Sequence, residues 1–119
     1  MMVTTGRTVL YTLSEQDAQQ INRRRTTGSS IYERMQILVH TTGDQKLVGW
    51  PVGAQAHIGN QASAGDVVPL VVVKVWPNEY GEGIPGVNGQ AFLDGNDALW
   101  ITSAKEGTKP GTWAWPPRS

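Results

Sequence analysis

Cysteine is absent from the 119-residue chain, which excludes disulfides, thiolate zinc sites and thiol nucleophiles and leaves a fold independent of an oxidising compartment. Histidine occurs only at His40 and His57. Neither lies at metal-ligand spacing from a second imidazole or a carboxylate on one helix face, so no metal and no cofactor is expected. Neither charge is in excess: ten Lys and Arg balance ten Asp and Glu, which argues against a DNA or RNA duplex or a membrane held by bulk charge. No apolar run approaches the roughly 20 residues of a bilayer-crossing helix. Met1 to Leu10 has neither the basic start nor the apolar stretch of a secretory leader, so the cytoplasm is the expected compartment. With 39% hydrophobic and 17% charged residues, the chain can fold as a single domain, 1–119, with few charges to hold copies apart.

What charge there is lies unevenly. Residues 1–39 hold Arg7, Arg23, Arg24, Arg25 and Arg34 against Glu15, Asp17 and Glu33. Val9 to Leu13 suggests a strand. Ser14 then offers an N-cap hydroxyl with Asp17 three residues on, so a helix is expected from Ser14, with Ala18 and Ile21 on one face. It runs through the three arginines before Thr26-Thr27-Gly28 stops it. Ser30-Ile31-Tyr32-Glu33 repeats the capping signature, and Ile31, Met35 and Leu38 follow at helical spacing, which predicts a second helix over about 31–39.

Beyond Gly43 the texture changes to glycine, proline, tryptophan and short apolar runs, the pattern of strands and turns. Val67 to Trp76 is almost unbroken in its apolarity, which suggests a strand buried on both faces, one of them against another copy of the chain or a folded-over second sheet. Val87–Leu93 and Ala98–Ser103 flank Asp94-Gly95-Asn96-Asp97, a hairpin signal, and Thr112–Trp115 gives a last short strand. The expected class is α+β: two N-terminal helices, within about 14–39, packed on a mostly antiparallel β-rich body over about 50–115, assembled as oligomers.

Catalytic templates fit poorly. Asp94 and Asp97 could face one another as an acid/base pair, or a small nucleotide hydrolase could use either as base with His57 as acid, but Asp and Asn in such a turn more often bond their own backbone. Gly53-Ala54-Gln55-Ala56-His57-Ile58-Gly59-Asn60 is neither a P-loop nor a dinucleotide fingerprint; it reads as a loop at the sheet edge or a backbone cradle for phosphate. Arg23-Arg24-Arg25 is sharper, because successive helix residues fan out by about 100° and cannot share one solvated face. At least one guanidinium should therefore meet a partner, and its fork suits phosphate oxygens; the competing use is to complement the helix C-terminal dipole. Trp113 and Trp115, two apart, should stand on one face of a strand, and Trp100 and Phe92 are expected in the core. Exposed rings, arginines and an amide such as Asn88 or Asn96 would together suit a nucleobase and its phosphate without a catalyst.

Leu13-Ser14-Glu15-Gln16-Asp17, Ile21 to Gly28, Gly53 to Asn60, Val87 to Asp97 and Gly111-Thr112-Trp113 together resemble a family of small proteins of tailed phages and prophages, the Thoeris anti-defence sponges. The resemblance covers most of the chain. It implies a non-enzymatic protein of the host cytoplasm, a dimer or hexamer, that holds a cyclic ADP-ribose-type immune signal, and in some members cyclic oligonucleotides, uncleaved between protomers. Carried onto matching positions, Arg24 and Arg25 would meet the pyrophosphate, Asn88 the base or ribose, and Trp76 would supply the ring. Lys105 would stand where relatives have a basic residue after a Thr-Ser pair, although lysine lacks the planar fork. A second pocket would draw on Gly53, Ala54, Gln55, His57 and Gly59. The stretch from His40 to Trp50 is longer than in those relatives. The alternative reading is a phage structural or inhibitory protein that binds another protein through a Trp-rich face, since Trp, Tyr and Arg dominate interface hot spots.

Overall fold

The computed structural model describes residues 2–25 and 58–117. Strand β1 (Thr8–Thr12) leads into helix α1 (Glu15–Arg24), followed by β2 (Val67–Trp76), β3 (Gly86–Phe92), β4 (Ala98–Glu106) and β5 (Thr112–Ala114). The strands close into a barrel in chain order. Neighbours pair antiparallel except β4 and β5, which run parallel through Lys105↔Thr112, and β5 returns to β1 through Leu10↔Ala114.

Closure of the sheet overturns the expected α+β architecture of two helices packed on a β-body. A sheet curled on itself buries its own inner face and needs no helical layer over it. Its interior is filled by Val9 and Tyr11, Leu70 and Val72, Val87 and Ala91, Leu99 and Ile101, and above all Trp113, the largest fully buried side chain. Each such aliphatic contributes about 2 kcal/mol by leaving water. Among the described residues α1 is the one helix; the second helix expected over about 31–39 lies outside them.

Helix α1 begins where the sequence places it. The Ser14 hydroxyl accepts from the Asp17 amide at 3.0 Å, and the Asp17 carboxylate accepts from the Ser14 amide at 3.0 Å, completing a capping box. Ala18 and Ile21 are its buried residues. The helix ends before Thr26, with Arg25 as an extended C-cap.

Within the single chain one face of β2 is buried and the other is open, so any cover for the outer face, as the sequence leads us to expect, would come from another copy. Val68, Leu70, Val72 and Val75 turn inward, whereas Val67, Val73 and Trp76 are exposed. Valine favours the pleated backbone on either face, so a valine run shows a strand without showing what covers it. The same alternation turns Trp100 and Phe92 outward, 47% and 51% exposed, because Leu99, Ile101 and Ala91 take the inner positions. Trp113 and Trp115 do share a face, their rings meeting edge-on with centroids 5.6 Å apart.

Candidate functional site

The residues expected to bind ligand separate into two groups, one at each end of β3. At the β3–β4 turn, Arg24 and Arg25 converge on Asp97. Arg24 Nε lies 3.3 Å from one carboxylate oxygen and Arg25 Nη1 lies 3.2 Å from the other. The Asp97 and Arg25 side chains are only 3% and 7% exposed, and that of Arg24 is 30% exposed. Arg24 Nη2 also donates to the Ala98 carbonyl at 2.6 Å, and Arg25 Nη2 to the Asp94 carbonyl at 3.2 Å. The fan of arginines thus has an internal partner: the end of α1 is clamped to the hairpin turn.

Glycine makes this approach possible. Gly59 and Gly95 face one another in an isolated antiparallel bridge, and a Cβ on either would strike the Arg25 guanidinium. Flanking bonds stitch the same strip together: Ile58 N–H donates to Asn96 Oδ1 at 2.8 Å, and Asn60 Nδ2 to the Asp94 carboxylate at 2.7 Å. Asp94 and Asp97 therefore have different partners and do not face each other as an acid/base pair. Gly59 belongs to the arginine clamp; Gly53, Ala54, Gln55 and His57 of the expected second pocket lie outside the described residues, as does His40.

Two guanidiniums meet the buried Asp97 carboxylate, and the Asp94 carboxylate lies in the same strip. Beside them lies an open depression of about 620 Å³ whose wall includes Arg24, Phe92, Asn96, Asp97 and Ala98. Among the described residues Arg24 Nη1 has no hydrogen-bond acceptor, Nη2 and Nε being turned to Ala98 and Asp97. In a partly desolvated setting such an N–H pair is suited to an anionic oxygen, because the guanidinium cannot shed its charge and water competes weakly.

At the other end of β3 the structure brings Trp76, Asn88 and Lys105 onto one outer face. The register runs Trp76↔Gly86↔Lys105, with Lys74↔Asn88 in the adjoining row. Asn88 sits between two bulges. On β2, Val73 is the extra residue between Val72 and Lys74; on β4, two residues oppose Asn88, and Ser103 there has φ 55°. A left-handed serine is strained, and the strain is held by its neighbours: Ser103 N–H donates to Asn88 Oδ1 at 2.8 Å, and the Tyr80 hydroxyl donates to the Ser103 carbonyl. Asn88 Nδ2 is left to donate elsewhere, into an open depression of about 630 Å³ that Trp76, Glu79, Asn88 and Ser103 line. Lysine ammonium groups lie over the rings, Lys74 Nζ 4.9 Å from the centroid of Trp76 and Lys105 Nζ 5.7 Å from that of Tyr80.

Sequence reasoning missed Asp97 as the arginines' partner, Glu79 beside Trp76, and the strained Ser103. No local spacing announces a pair such as Arg24 and Ala98, 74 positions apart. Among the described residues no three His, Asp or Glu gather as metal ligands, and no helix is long and apolar enough to cross a membrane.

Comparison with known protein families, curated proteins and solved structures finds no match.

Proposed function

We propose that this chain is a phage-encoded anti-defence protein that sequesters a cyclic ADP-ribose-type signal, and cyclic oligonucleotides as a second class, in the host cytoplasm without cleaving them. The observation that carries the reading is the guanidinium of Arg24 at the β3–β4 turn, partly exposed and lining an open depression. Retention of the ligand requires binding and no turnover. A sponge acts by mass action, so it needs submicromolar affinity, roughly 8 kcal/mol or more.

Separation of the two groups bears on how a ligand would sit. From Asn88 to Asp94 is about 20 Å of extended chain at about 3.3 Å per residue. A compact cyclic nucleotide that touches both Arg24 and Trp76 therefore needs two copies of the chain, with Arg24 from one, held in place by the buried Arg25–Asp97 pair, meeting the pyrophosphate and Trp76, Asn88 and Lys105 from the other taking base and ribose. Enclosure between protomers excludes water and strengthens each charged hydrogen bond. Native mass spectrometry of freshly purified protein tests this directly, reporting subunit number and any co-purifying nucleotide together. Chromatography after heat denaturation then separates binding from hydrolysis: intact nucleotide fits sequestration, and a cleaved product rejects it.

Exposure of Phe92 and Trp100 on the outer barrel wall favours a second reading, a protein that binds another protein through this face. Trp100→Ala would then abolish partner binding while leaving nucleotide titrations unchanged.

A further inference from the structure

Four aromatic rings stand exposed along one outer wall of the barrel. The outward residues of β3 set its rows: Gly86 lies between Trp76 and Lys105, Asn88 beside Lys74, Gln90 between Val71 and Trp100, and Phe92 beside Ala98. Trp76, Phe92 and Trp100, with Tyr80 of the β2–β3 loop, are each between 44% and 51% exposed. Charge on this wall is mostly positive. Across β2, β3 and β4 the Lys, Arg, Asp and Glu side chains are Lys74, Lys105 and, at the last position of β4, Glu106. Lys74 lies over the Trp76 ring and Lys105 over that of Tyr80, while the partly exposed Arg24 borders the depression beside Phe92 at the opposite end. Glu79 of the β2–β3 loop reaches over Gly86.

We propose that this wall binds single-stranded nucleic acid, with bases stacked on Trp76, Trp100 and Phe92 and phosphates met by Lys74, Lys105 and Arg24. Exposed rings are stacking platforms that any base can cover, and interleaved cations suit a chain that carries one negative charge per nucleotide. From Gly86 to Phe92 the wall runs about 20 Å at about 3.3 Å per residue, room for about four nucleotides, the lower end of site sizes on small barrels. Between the rings, Asn88, Gln90 and Thr102 offer neutral donors and acceptors to base edges. Lysine is depleted from protein–protein interfaces, so the two lysines on the rings favour this occupant over a protein. The balanced net charge of the chain argues against a duplex held by its phosphates, whereas a strand held by stacking needs few of them. The inference goes beyond sequestration of a cyclic nucleotide and uses Trp100, which that reading does not, so either can fail alone.

The test is fluorescence anisotropy of labelled octathymidylate titrated with the full chain at low salt, beside a duplex of the same length and an abasic strand with the same number of phosphates. Saturable binding at least about tenfold tighter than to either control is expected, because only the single strand presents bases for stacking. Trp100→Ala and Trp76→Ala should each weaken it at least about fivefold, equivalent to about 1 kcal/mol. Lys74→Ala should lower the slope of log affinity against log salt by about 0.7. All three side chains are exposed, so these variants retain the fold. Absence of saturable binding, equal affinity for the abasic strand, or an affinity unchanged in Trp100→Ala would each overturn the proposal. Loss of the strand in Trp100→Ala with the cyclic nucleotide still bound supports it as a function separate from sequestration. An intact strand affinity with a lost protein partner assigns the wall to the protein-binding reading instead.

Discussion

The Asp97 carboxylate lies 3.2 Å from the Arg25 guanidinium with both side chains nearly out of water. A buried pair of this kind adds little net stability over an apolar replacement, but removing one partner strands the other charge. Asp97→Ala strands Arg25 and removes the Arg24 contact together. It should destabilise the fold by about 3 kcal/mol, measured by urea unfolding; a loss within about 0.5 kcal/mol, the range of ordinary surface changes, would show that the clamp is not a structural element.

Close approach makes a second expectation. Gly59→Ala and Gly95→Ala each place a methyl group against the Arg25 guanidinium and against backbone. Both should lower the melting temperature by several degrees, in line with the roughly 1–3 kcal/mol cost of overpacking. If Arg25→Ala makes room and Gly59→Ala then costs little, the guanidinium is the clashing group; an undiminished cost would assign the clash to backbone instead.

The Tyr11 hydroxyl donates to the Asp17 carboxylate at 2.6 Å, tying β1 to the start of α1. Burial, then this hydrogen bond and the Asp17 charge, push the phenol well above its ordinary value. A group whose folded pKa is raised contributes stability that is complete below its unfolded pKa, about 10, and is lost as pH climbs through the folded value. Alkaline unfolding should therefore set in above about pH 10, and Tyr11→Phe should flatten stability there while removing some at neutral pH. Parallel alkaline profiles for the two proteins would show that this phenol does not govern the transition.

Ser14→Ala removes the cap and should cost about 1 kcal/mol. Hydrogen exchange offers the sharper readout, because protection should fall at the Asp17 amide, whose partner is the lost hydroxyl, more than in the barrel.

For the proposed function, Arg24→Ala should weaken a pyrophosphate-containing cyclic nucleotide by at least about 1 kcal/mol, with Arg24→Lys intermediate because the fork is lost and the charge kept. Calorimetry supplies the comparison, and equal affinities across the three proteins would remove Arg24 from the site. Light scattering should find a dimer or larger species at micromolar concentration; a clean monomer would leave the two residue groups of β3 with no means of meeting.

Local chemistry was legible in the chain itself. The Ser14–Asp17 box, the inward Ala18 and Ile21, the turn at Asp94–Asp97 and the shared face of Trp113 and Trp115 depend on residues a few positions apart, which interact whatever the rest of the protein does. Closure of the sheet, the outward turn of Phe92 and Trp100, the pairing of Arg24 and Arg25 with Asp97, and the bulges that aim Asn88 depend on strands brought together from distant parts of the chain. Hydrophobic pattern marks a strand, but which of its faces becomes the inside is decided only when the sheet curls and one set of alternating side chains leaves water.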